Sequence, residues 1–256
     1  MAKELVKAES ANVVVADPAL IAEAMVEVDA ADMVVPFLKV IQPLSDEMTK
    51  GKDKYNPNVH AGDIYDSVTQ TIYEKADIII CAMRKYYGEW EGGVRGKLVG
   101  KHKVDSTIVK EAVRTNRITA SGSTFTDLTT LAGNELIETF GVVCVVKTPD
   151  GNILPATFTL SKTAFSVGKN LATLLCIHQS NGLPVFEMST ISKQNDKGSW
   201  FVPKFSFKEY ETDKDVIASV IQTKKNADAI MFKNEDTTPS AVSEVEPETP
   251  FDNDIV

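Results

Sequence analysis

The first regular pattern along the chain is helical. In "DPALIAEAMVEVDAAD" (17–32), Asp17 can cap the first turn and Pro18 suits it, while Ile21, Met25 and Val28 fall on one face. Residues 1–16 are small and mixed, and are expected to form a flexible N-terminus. The apolar run "MVVPFLKVIQPLS" contains Pro36 and Pro43, so it predicts an edge strand rather than a helix. From there the pattern turns to alternation. "GDIYDSVTQTIYE" alternates after Gly62-Asp63, and "ADIIICAMRKYYGEW" predicts a strand that begins apolar and ends basic and aromatic. "NELIETFGVVCVVKTPDGNILPATFTLS" predicts a hairpin about the Pro149-Asp150-Gly151 turn. "SKTAFSVGKNLATLLCIHQSNG" predicts a helix capped by Ser161, with Phe165, Leu171 and Leu175 as its stripe and Asn181-Gly182 at its end. Two further strands, "PVFEMSTISKQ" and "SWFVPKFSFKEY", flank the polar turn "NDKGS", and "KDVIASVIQTKKNADAIMF" predicts a last helix.

Short strands in succession, a few helices and no regular strand–helix alternation predict an α+β chain built mainly on β structure. A mostly antiparallel sheet or small barrel fits better than a doubly wound fold. With 256 residues, 43% of them hydrophobic, the chain is long enough for a proper core. The net charge of −9 is unevenly spread. From Asn234 onward there are seven acids and no Lys or Arg, so the body holds 29 acids against 27 bases and is close to neutral. The region 234–256 is rich in Glu, Pro, Thr and Ser and poor in aromatics, and is expected to be a disordered acidic tail. The body, 17–233, reads as one domain.

Cys81, Cys144 and Cys176 lie in separate apolar runs and read as buried free thiols of a reducing cytosol. "MAKELVKAES" lacks the apolar core of a signal peptide, and no run approaches a membrane span, so a cytoplasmic protein is expected. Enzyme motifs fail. In "GGVRGKLVGK" Leu98 follows Lys97 and His102 follows Lys101, so no hydroxyl is placed as in a phosphate loop. His60, His102 and His178 are not spaced with the cysteines as zinc ligands, and neither G-x-S-x-G nor H-E-x-x-H occurs. No catalytic activity and no cofactor are expected.

The positive signal is basic residues interleaved with rings. Between 84 and 117 stand nine Lys or Arg against four acids, beginning with Arg84, Lys85, Tyr86, Tyr87 and Trp90. Single-stranded nucleic acid is held by this combination: cations follow the phosphates, and flat rings accept bases at about 1–3 kcal/mol each. Gly92, Gly93, Gly96 and Gly100 would make the segment a mobile loop. A second cluster, "NDKGSWFVPKFSFK", alternates so that Trp200, Val202, Lys204, Ser206 and Lys208 share one side. Phe201, Pro203, Phe205 and Phe207 take the other side, as core. Trp200 serves equally as a ligand-facing ring or as a cap on the core, and Lys162 and Lys169 of the preceding helix read mainly as solvated.

The chain ends "PETPFDNDIV". Phe251, Ile255 and Val256 read as apolar anchors for a partner's pocket, and Asp252 and Asp254 as contacts to its basic rim. The acidic tail could also shield an empty cationic groove. This tip resembles the acidic, aromatic-bearing ends of bacterial and phage single-stranded DNA-binding proteins, although five residues follow Pro250-Phe251 here. The stretches "PFLKVIQPLS", "GDIYDSVT", "YYGEW", "SKTAFSVGKNL" and "NDKGSWF" are similar to a group of tailed-phage replication-associated proteins. The resemblance implies an OB-type fold and a place in DNA replication, recombination or repair without catalysis.

The resulting expectation is an OB-like antiparallel β-barrel elaborated by helices, coating single-stranded DNA with little sequence preference in the host cytoplasm. Arg84, Lys85, Arg95, Lys97, Lys101, Lys103 and Lys204 would meet phosphates; Tyr86, Tyr87, Trp90 and Trp200 would stack bases. The tail would recruit replication or recombination proteins, and homo-oligomers are allowed. The rivals are a virion structural, scaffolding or other interaction protein and, behind it, a metal-dependent nuclease whose carboxylates converge in space.

Overall fold

A computed structural model describes residues 34–91, 97–115, 128–148, 151–196 and 198–232. The expected N-terminal segment 1–16, the helix at 17–32 and the tail 234–256 lie outside them. From Val35 the chain belongs to one unit. Its frame is two long antiparallel strands, β4 (Ala76–Trp90) and β7 (Glu135–Lys147), paired from Asp77↔Lys147 to Trp90↔Glu135. On the free edge of β4, β9 (Leu183–Asn195) takes residues 76–79 and β5 (Leu98–Lys103) takes the far end. On the free edge of β7 lie β8 (Ile153–Ser161) and the short β6 (Leu128–Thr129). β10 (Gly198–Glu211) pairs with β9 and completes seven strands.

Both faces of this sheet are covered. One face, including Ile78, Val142, Cys144, Phe158 and Phe186, packs against α2 (Phe165–His178) through Leu171 and Leu174. It also meets a three-stranded sheet of β1 (Leu38–Val40), β2 (Ile64–Asp66) and β3 (Ile72–Tyr73) through Leu38, Ile64 and Tyr73. The other face, including Ile79, Val143, Val145 and Val185, packs against α3 (Lys214–Lys225) and α4 (Ala227–Phe232) through Val216, Val220 and Met231. Burial on both sides explains why "ADIIICAM" and "GVVCVV" are almost continuously apolar instead of alternating.

The closed OB-like barrel expected above is not formed. The large sheet is an open, forked path that runs from β10 to β6. The small sheet joins it through the parallel bridge Phe37↔Thr157, supported by two hydrogen bonds between the Gln42 amide and the Phe201 backbone, both 2.9 Å. Helices fill the two faces where a barrel would fold the sheet onto itself. The two prolines within strands follow this layout: Pro155 is in β8 and Pro203 in β10, each strand having one ladder partner, where the missing N–H is tolerated.

Three local expectations change. The last helix is two helices, since Asn226 leaves helical geometry at φ −93°, ψ 0° between α3 and α4. Part of the stretch expected as a mobile loop after Trp90 is regular: β5, then α1 (Thr107–Thr115). Cys176 is exposed on α2, whereas Cys81 and Cys144 are buried. Burial pushes the Cys81 thiol up to about 12 and raises that of Cys144, which leaves both as inert packing groups.

Candidate functional site

The first basic and aromatic cluster is divided by the sheet itself. A β-bulge at Cys81 shifts the phase of β4, so that Cys81 and Ala82 both enter the core under α3 and α4. Counting on from Ala82 places Arg84 and Tyr86 on that helical side. Tyr86 is 4% exposed and meets Phe232 edge-on at 6.0 Å, so its ring is core and offers no face to a base. Lys101 and Lys103, from β5, lie over the same rings: Lys101 is 6.0 Å from the Tyr86 centroid and donates to the Met231 carbonyl at 3.2 Å, and Lys103 is 5.6 Å from the Phe232 centroid. Arg84 pairs with Asp228 of α4 at 3.4 Å.

Lys85 and Tyr87 take the opposite side, together with Glu138 of β7. The Lys85 ammonium is 2.7 Å from Glu138, and that hydrogen bond raises its pKa; the Tyr87 hydroxyl is 3.4 Å from the same carboxylate, and burial first, then Glu138, raises its pKa. Trp90 is half-buried at the end of β4 and Lys97 is exposed, while Arg95 and the glycines 92, 93 and 96 lie outside the described residues. Sequence spacing had placed these groups in one trough. The structure puts them on two faces, several of them beside carboxylates.

The end of β4 contains a feature that sequence reading missed. Glu89, 8% exposed, accepts from Asn134 at 2.7 Å and contacts His102 at 2.6 Å, tying β4 to β5 and to the turn before β7. It also lines a cavity of about 200 Å³ with Ile108, Glu111, Thr130 and Leu131. Burial opposes the charged form, but the bonds from Asn134 and His102 outweigh it and hold the Glu89 pKa below the usual 4.5. The sign follows: a lowered pKa stabilises the fold above about pH 4.5, and this contribution is lost as pH falls through the folded-state value. Glu89→Gln should therefore melt earlier than the parent at pH 7, with the gap closing below about pH 4. A gap that persists unchanged at pH 3 in thermal melts would show that the carboxylate charge is not what matters.

The second cluster does converge. The β9–β10 hairpin turns between Asn195 and Gly198, and this register sets Lys193 opposite Trp200 and Ile191 opposite Val202. Between the hairpin and the first turns of α2 lies a groove of about 470 Å³. Trp200, Lys193 and Lys204 line its hairpin side; Ser166 and Asn170 line its helical side, over a floor that includes Leu171 and Val202. Lys193 and Lys204 are exposed and Trp200 is half-buried, its indole Nε1 buried without a hydrogen-bond partner. Phe205 and Phe207 belong to the core, as alternation required. Lys208 is paired with Asp77 at 2.6 Å, and Lys169 lies 5.2 Å from the Phe165 ring. Lys193 escaped the sequence reading, although counting back from the "NDKG" turn would have set it across from Trp200.

Such a groove can hold a flat, partly apolar ligand carrying negative charge. Among the described residues no cluster of three or more His, Cys, Asp or Glu could hold a metal ion, and no helix is long and apolar enough to cross a membrane. The tail residues Phe251, Asp252, Asp254, Ile255 and Val256 lie outside the described residues. A family model described as "Pam3 phage gp34-like protein" matches residues 9–229. No curated protein and no solved structure matches the chain.

Proposed function

The chain belongs to the Pam3 phage gp34-like family, and from that premise we propose that it is a non-catalytic protein that binds single-stranded DNA during phage DNA replication, recombination or repair. One observation carries the reading: Trp200 stands in a groove beside the exposed cations Lys193 and Lys204. A ring that can accept a base, next to charges that can follow phosphates, is how single strands are held without regard to sequence. The half-buried Trp90 and Tyr87, with Lys97, Lys101 and Lys103, form a secondary candidate surface at the far end of β4. The acidic tail would bring Phe251, Ile255 and Val256 to replication or recombination proteins, with Asp252 and Asp254 on the partner's basic rim, all in the host cytoplasm.

The test is a titration of a fluorescent oligonucleotide at rising salt. Binding should be firm at low salt and should weaken with a log–log slope of about −0.7 for each phosphate neutralised. Changing Lys193 and Lys204 together to alanine should flatten that slope by roughly 1.4, the share of two phosphates. Absence of binding at low salt, or an affinity indifferent to salt, rejects the proposal.

A further inference from the structure

The groove is chemically two-sided. All of its charge lies on the hairpin, at Lys193 and Lys204. The residues of α2 and the turn before it that line the groove carry no charge. They follow helical spacing: Thr163, Ser166 and Asn170 form a polar stripe, and Val167, Leu171 and Leu174 form the apolar floor beneath it. Asn170 and Ser166 are exposed on the helix surface, and no hydrogen bond to another protein group is recorded for either side chain.

Resting on the single-strand reading above, we infer that this asymmetry orients the strand and reads its bases. The phosphates run along the hairpin lip, the base next to Trp200 lies over the apolar floor, and its edge reaches Asn170 and Ser166. A side-chain amide presents a donor and an acceptor side by side and matches the donor–acceptor pair on an adenine edge. Asn170 is thus a specificity-determining residue, and the groove favours adenine over thymine at one position instead of being indifferent to sequence.

The experiment compares an all-thymine oligonucleotide with the same strand carrying one central adenine, using the full chain. The parent should bind the adenine-bearing strand about five- to tenfold more tightly. Asn170→Ala with Ser166→Ala should bring the two affinities within about twofold while leaving the all-thymine affinity nearly unchanged. Alanine at exposed helix positions favours the helix, so lost discrimination is not explained by unfolding. Equal affinities in the parent, or a double variant that weakens both strands alike, overturns the inference and leaves single-strand binding standing. Failure of the parent to bind either strand overturns both.

Discussion

Phe158→Ala should lower the melting temperature by roughly 6–20 °C. Phe158 is 2% exposed in β8 and stacks on Phe205 at 5.6 Å with the rings 20° apart. Removing a buried phenylalanine costs about 3–5 kcal/mol, because the transfer loss is joined by that of an unfilled cavity. In a chain of this size each kcal/mol shifts the midpoint by about 2–4 °C. Phe205 also lines the groove beside Lys204, so the variant should bind oligonucleotide more weakly even at temperatures where it is folded. A midpoint within 2 °C of the parent in a calorimetric scan would contradict the position given to Phe158 at the centre of the core.

Trp200→Ala should lower oligonucleotide affinity by on the order of tenfold or more, from the 1–3 kcal/mol that one stacked base contributes. The chain has two tryptophans, Trp90 and Trp200. If the groove is the principal site, most of the ligand-induced fluorescence quenching should vanish with Trp200 and persist in Trp90→Phe. Quenching that instead follows Trp90 would move the site to the far end of β4.

How much of this was legible beforehand depended on what set each feature. Strand identity was legible where burial repeats with period two or runs unbroken. The hairpin of β7 and β8, with hydrogen bonds closing its turn between Thr148 and Asn152, and the long α2 follow directly from pattern and turn residues. Closure was not legible. Whether β8 meets β10 or is covered by a helix is decided between segments distant in sequence, and alternation is the same in either case. Within the candidate site, Trp200 and Lys204 were found because local alternation places them. The trough around residues 84–103 fails as a single surface because one extra residue at Cys81 changes the face of every side chain after it, and no composition signal announces a bulge. The Glu89–Asn134 contact spans 45 positions and is visible only once β4 and β7 are paired.

Pro155 and Pro203 have a consequence for the protein in bulk. An outer strand with a full row of amide donors is a template on which identical chains can assemble edge to edge into fibrils. A proline in each of these two rims interrupts the row and makes indefinite growth by strand addition unfavourable. A protein accumulating to high concentration in an infected cell is thereby kept dispersed by its own margins, independently of any charge it carries.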